Sequence, residues 1–285
     1  MGISKAATQF LMREGQRRPL GGRVLTLGKQ DIYISADSLR EIAAHRAYEL
    51  KHAPVTPPTK AYHIERQHLS DRTYFEMLGF ANLHSIDVSD YEGAAELFDM
   101  NSASVPAHLE AAFDFIVDGG TLEHIFHLPN VLNNIFRMLK VGGRVWHMAP
   151  SSNHMDHGFY MFSPTLFVDF YAVNRFEVNC VQVFRHTQNP DTEPWEFSDY
   201  VPGCLDPVSF GGLDDSLYGV ALVATKSRES TGNAIPAQGA ARAFAGNRDY
   251  LEAVQPRRRL VDRILNRLLP RPRKKGLGLP INAKF

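Results

Sequence analysis

The stretch 113–144, FDFIVDGGTLEHIFHLPNVLNNIFRMLKVGGR, decides the fold. It opens on a short apolar strand, 113–117, closed by Asp118, Gly119 and Gly120. Val131, Leu132, Ile135, Phe136 and Leu139 then recur at helix spacing, and Lys140-Val141-Gly142-Gly143 reads as the stop, with a basic last turn followed by glycine. Residues 144–148 return to strand. Strand, helix and strand in this order make a parallel βαβ unit, and such sheets gather ligand-binding residues at the carboxyl ends of their strands.

The same alternation extends in both directions. Strands are expected at 23–28 (RVLTLG), 83–88 (LHSIDV) and 93–98, and later at 178–184 and 217–225. Helices are expected at 37–50, at 70–78 with Gly79 as stop, and at 164–171, where Ser163 is the N-cap and Pro164 opens the first turn. The proline-rich run APVTPPTKAYH and the long connection 189–213 read as irregular, and no internal repeat is present. The fold class is α/β, a doubly wound and mostly parallel sheet.

Three strand ends carry a carboxylate: Asp87, Asp99 and Asp118. One such residue is as well explained by a turn or helix cap. Three on one rim match a ligand with hydroxyl and amino donors, since a carboxylate accepts from both.

With Leu122-Glu123-His124 and Leu139-Lys140-Val141-Gly142-Gly143-Arg144, the stretch 113–144 resembles the second half of a class I methyltransferase domain that uses S-adenosylmethionine (SAM). The resemblance covers residues 21–226 and is strongest over 83–171. It implies a seven-stranded Rossmann-like sheet whose last strand is inserted antiparallel, and SAM as cofactor. It places Asp87 on the ribose hydroxyls, Asp99 at the adenine amino group and Met100 on the adenine face. Gly28, Asp118 and Gly119 fall where the backbone passes the methionine end. The pattern departs at the first strand, Thr26-Leu27-Gly28-Lys29-Gln30-Asp31-Ile32, where Thr26 replaces an acid and Gln30 and Ile32 replace glycines. Glycines there let backbone approach the ligand closely, so either the cradle is reshaped or the site is weakened. The 59 residues between Gly28 and Asp87 exceed a single crossover, and an insertion at about 36–66 is expected over the mouth of the site. The nicotinamide alternative lacks its Gly-x-Gly-x-x-Gly.

Histidines cluster after the next strand, in WHMAPSSNHMDHGFYMFSP. His157 is the first candidate for a catalytic base and His124 the second, because imidazole exchanges protons near neutral pH. His147, inside a strand, reads as a packed core residue. His154-x-x-His157 with Asp156 is too weak a pattern for a metal centre, and none is expected. Phe159 and Tyr160 are placed to line an acceptor pocket.

The chain has 285 residues, 44% of them apolar, and two cysteines, which fit no disulfide framework and point to a reducing, cytoplasmic setting. No secretory leader is expected from residues 1–18, and no apolar run nears about 18 residues. The net charge of zero hides an asymmetry. Ten of the 31 bases and one of the 31 acids lie from Pro256 onward, leaving the body 21 bases against 30 acids. The expected organisation is an N-terminal segment (1–20), a methyltransferase domain (21–226), a linker (227–255) and a basic amphipathic tail (256–285). The apolar stripe Leu260, Val261, Ile264, Leu265 and Leu268 suits either docking on the acidic body or peripheral contact with a membrane or protein; no motif reads nucleic acid in sequence. The expected function is methyl transfer from SAM to O or N of a small-molecule or carbohydrate-like acceptor. The alternative is a non-catalytic binding or scaffold protein with a degenerate cofactor loop.

Overall fold

The structure is a computed structural model that describes residues 2–187, 194–238 and 279–285. In chain order the elements are β1 (Gly2–Ile3), α1 (Lys5–Arg17), β2 (Arg23–Leu27), β3 (Asp31–Ile32), α2 (Ala36–His45), α3 (Ala61–Glu65) and α4 (Asp71–Met77). They continue with β4 (Asn82–Asp87), β5 (Glu96–Leu97), β6 (Phe113–Gly119), α5 (Leu128–Met138), β7 (Leu139–Ser152), α6 (Pro164–Val173), β8 (Glu177–His186), β9 (Glu196–Asp199), β10 (Leu217–Thr225) and β11 (Ala283–Lys284). The main sheet runs β11-β9-β8-β10-β7-β6-β2-β4-β5. The pairs β2–β4, β2–β6, β4–β5 and β6–β7 are parallel, whereas β10 is antiparallel to both β7 and β8. The expected sheet of seven strands, with its last strand inserted backwards, is therefore present. Two strands, β9 and β11, extend it beyond β8.

Strand alternation divides the core. Leu25 and Leu27 of β2, Ile116 of β6 and Val145 and Ala149 of β7 face α5 and α6. Val24, Phe115, Val117, Trp146 and Met148 face the other way, onto α1 and α4. Residues 1–20, expected as a separate segment, carry the helix α1, which is part of this second layer. Ser4 caps it, accepting from Ala7 N, and Phe10 stacks on Trp146 at 5.9 Å and lies 5.8 Å from Phe197. The expected cap Ser163 of α6 accepts from Thr165 N, and Ser70 caps α4 by accepting from Thr73 N. The strand expected at 144–148 runs from 139 to 152, because the helix ends at Met138 and the chain turns directly into the sheet.

Part of the segment 36–66, which was expected over the mouth of the site, packs beside the end of β2. Lys60 Nζ binds Asp31 Oδ2 at 2.7 Å, and Thr56 hydrogen-bonds Ser70 and Thr73. The expected helix in the basic tail lies outside the described residues. The last residues are described, and they return to the sheet edge, where Lys284 Nζ meets Glu196 Oε1 at 2.9 Å. Among the described residues no helix is long and apolar enough to cross a membrane.

Candidate active site

The carboxyl ends of β2, β4, β6, β7 and β8 lie on one rim. Gly28 turns away from β2 with φ +67°, and its N–H is tied to Ile86 O across β4 at 2.8 Å. Asp87, half-buried at the end of β4, accepts from Ser89 N at 3.1 Å. Asp99 is exposed and holds a tight turn, accepting from Asn101 N at 2.9 Å and Nδ2 at 2.8 Å. Asn101 in turn accepts from His127 N at 2.9 Å, and Asn130 donates to its carbonyl at 2.6 Å. The turn after β5, with the buried Met100, is thereby fastened to the start of α5.

Asp118 behaves differently from the other two acids. It shares the parity of Ile116 on β6, so its side chain enters the core below α6 and is wholly buried. Oδ1 accepts from Thr121 N and Leu122 N at 3.0 and 3.2 Å, and Oδ2 lies 2.8 Å from His147 Nδ1. His147 Nε2 meets the Tyr171 hydroxyl at 2.6 Å. This carboxylate organises the turn after β6 from inside, which leaves only its backbone near the rim. His147 is the core residue expected from its place in a strand.

Gln30, which stands where a glycine was expected, is 2% exposed. Its Nε2 donates to Leu27 O at 2.9 Å, and a Cβ on Gly119 would meet its Oε1 at 2.5 Å. Among the described residues Gln30 Oε1 and Thr26 Oγ1 are buried with no hydrogen-bond partner. The cradle between β2 and β6 is narrowed by a side chain that presents an open acceptor.

On the other side of Gly119 a pocket of about 130 Å³, partly open to solvent, spans the ends of β6, β7 and β8. Gly119, Gly120, Glu123, His154 and His157 form one wall; Trp146, Met148, Phe184 and Trp195 form an apolar one; Ser4 and Ala7 of α1 and its approach close a third. The two histidines singled out in the sequence come together here, with ring centroids 5.1 Å apart. His154 lies 5.8 Å from His157 and 6.3 Å from His186, which stacks on Trp195 at 4.1 Å. Phe159 and Tyr160 lie just outside, Phe159 against Phe126 and the Tyr160 hydroxyl donating to Phe126 O.

Sequence reasoning missed Glu123, which was read only as part of the Leu-Glu-His motif. It is 0% exposed and sits beneath both histidines, its Oε1 3.5 Å from His157 Nε2 and 3.9 Å from His124 Nε2. Burial, then the nearby Asp118 carboxylate, pushes its carboxyl up to about 8. Burial lowers His124, with His157 adding to it, and burial likewise lowers His154 and His186. An acid directly before a histidine, one short turn past a strand end, was the available signal.

No protein-family model and no curated protein sequence matches the chain. Among solved structures it is similar to the 1,6-didemethyltoxoflavin N1-methyltransferase of Burkholderia thailandensis, solved with S-adenosylhomocysteine, at 14% identity over 77% of this chain and 76% of that one, TM-score 0.37. It is similar to the geranyl diphosphate C-methyltransferase of Streptomyces coelicolor at 13% identity, 78% and 75% coverage and TM-score 0.40. A putative methyltransferase of Bacillus halodurans has 10% identity, 76% and 98% coverage and TM-score 0.43. The strand order, with β10 inserted antiparallel between β7 and β8, settles the architecture. The fold is the Rossmann-like methyltransferase fold.

Proposed function

We propose that the protein transfers a methyl group from SAM to an oxygen or nitrogen of a small or carbohydrate-like acceptor. The observation that carries this reading is the position of Gly119, which borders both the rim and the pocket beyond it. A methyl donor held on one side and an acceptor on the other would meet at this residue, and methyl transfer depends chiefly on such alignment.

The residues fit the cofactor. Asp87 and Asp99 would accept from its ribose and adenine donors, with Met100 under the base. Gln30 Oε1, a buried acceptor without a partner, suits the ammonium of the methionine end. When bound, SAM supplies the electrophilic methyl. Gln30 and Gly28 orient its methionine end, α1 and the Trp195 wall exclude water, and His157, with His124 beside it, takes a proton from a hydroxyl acceptor.

A second reading is a binding or scaffold protein, favoured by the amide of Gln30 filling space that glycine would leave open. Calorimetry with S-adenosylhomocysteine separates the two. The enzyme reading expects binding by the parent and a loss of at least about tenfold in Asp87→Ala, the scale of a charge-assisted hydrogen bond. Absence of binding at millimolar ligand to folded protein leaves only the scaffold reading.

A further inference from the structure

Glu123 is a buried carboxylate whose two oxygens have no hydrogen-bond partner among the described residues. Among the described residues the imidazoles that face it stand just too far away. The separations of 3.5 Å to His157 Nε2 and 3.9 Å to His124 Nε2 exceed hydrogen-bond reach. Buried polar side-chain atoms are normally hydrogen-bonded, paired or coordinated to a metal. Three side chains therefore converge on a common point without bonding to one another.

The convergence has the dimensions of a coordination site. One ligand atom from each of Glu123, His124 and His157 lies within 4.8 Å of the other two. Bonds of about 2.0–2.1 Å at a tetrahedral angle put ligand atoms about 3.4 Å apart, so small side-chain rotations close the set. Two imidazoles and a carboxylate with open positions are the donor set of catalytic divalent transition-metal sites.

The backbone fixes all three groups. His124 closes the short turn, its N–H bonded to Thr121 O at 3.0 Å. The loop after β7 is clamped onto Glu123, with Phe159 N donating to Glu123 O at 2.7 Å and His157 N to His154 O at 3.1 Å. Gly158 permits that approach, since a Cβ there would lie 2.7 Å from Glu123 O. Asn153 and Asp156 take left-handed conformations, φ +64° and +66°, which coil the loop so that His157 faces the carboxylate. His154 Nε2, another buried atom without a partner among the described residues, adjoins the cluster.

We propose that Glu123, His124 and His157 bind one divalent transition-metal ion of the zinc type, at the wall of the acceptor pocket. Its open positions would hold an acceptor hydroxyl and raise its acidity; with the ion bound, His157 and His124 would serve as ligands in place of the base role proposed above. That use rests on the methyl-transfer reading, but the binding of the ion does not.

The test is metal binding by the full chain without cofactor or acceptor. Protein freed of metal by chelator is titrated with Co²⁺, read by its visible ligand-field absorption, and with Zn²⁺ by competition. The expected result is one tightly held ion per chain with a low-coordinate nitrogen and oxygen spectrum. His157→Ala, whose side chain is 51% exposed and whose loss spares the core, lowers the affinity by roughly a hundredfold. Glu123→Gln does the same while keeping the shape of the side chain, and His108→Ala, at an exposed histidine paired with Glu96 outside the cluster, leaves binding unchanged. Failure of the parent to bind a stoichiometric ion, or equal binding by His157→Ala, overturns the proposal. Neither outcome depends on whether SAM binds.

Discussion

His147 Nδ1 lies 2.8 Å from Asp118 Oδ2, with both side chains fully buried between β6, β7 and α6. With its Nδ1–H donated to the carboxylate, His147 accepts the Tyr171 hydroxyl at Nε2, so every polar atom of the chain is used. The same carboxylate receives two backbone N–H groups from the turn that positions Glu123. Asp118→Ala leaves these donors without an acceptor in the core. The expected loss is about 3–5 kcal/mol, read as a lower urea midpoint with an unchanged slope. A variant as stable as the parent would show that the network contributes nothing net.

Gln30 bears on the cofactor. If its Oε1 receives the ammonium of the methionine end, Gln30→Ala weakens S-adenosylhomocysteine binding by about tenfold to a hundredfold, the range of a hydrogen bond to a charged donor. If the side chain instead obstructs a glycine-type cradle, the same substitution tightens binding. Calorimetry distinguishes the signs directly, and Gln30→Glu, which keeps an acceptor at this place, is expected to bind at least as well as Gln30→Ala.

The order of strands and the helices α5 and α6 were legible because their signals are local. Periodicity over 128–139 and the Ser163-Pro164 start need no distant partner. Asp118 was misjudged because a strand end was treated as open rim. The parity it shares with Ile116 turns its side chain inward, and that parity is visible in the sequence. Glu123 could not be recognised as buried, since nothing within a few residues reports what the loop after β7 lays over it. Nor does any local pattern announce β11, whose two residues pair with a strand more than eighty positions earlier. The helix α1 did leave a trace: Ala6, Ala7, Phe10 and Leu11 recur at helix spacing, although Arg13 makes the run look closed. Arg13 is accommodated by Gln182 Oε1 at 2.7 Å and by the Phe10 ring.

The far edge of the sheet responds to acid. Arg185 Nε binds Glu196 Oε2 at 2.7 Å and its Nη1 binds Asp214 Oδ2 at 2.9 Å. Burial raises the Glu196 carboxyl, but hydrogen bonds from Lys284 and Arg185 outweigh this and hold it below its ordinary value. Burial likewise opposes the Tyr218 and Ser216 hydrogen bonds that hold Asp214 low. Folded-state values below the unfolded ones mean that the stabilisation is whole above about pH 4.3 and is lost as pH falls through the folded values. Urea midpoints are therefore expected to fall between pH 5 and pH 3, and to fall less in Glu196→Gln. An equal slope in that variant would remove Glu196 from the account.

The N-terminal helix is integral to the domain and to the pocket. Phe10 is 0% exposed and packs between Trp146 of β7 and Phe197 of β9, so it joins the centre of the sheet to its added edge. Ser4 and Ala7, on the same helix or at its cap, line the pocket beside Glu123. Phe10→Ala removes a ring from a closed apolar layer and is expected to cost about 3–5 kcal/mol. The effect on the pocket is separable from that loss. Ala7→Leu places added bulk at the pocket wall with its backbone still helical, and it is expected to weaken acceptor-dependent turnover while S-adenosylhomocysteine affinity stays within about twofold, because Ala7 lines the pocket and Asp87 and Asp99 do not. A matching loss of cofactor affinity would mean that α1 shapes the cofactor rim rather than the acceptor side.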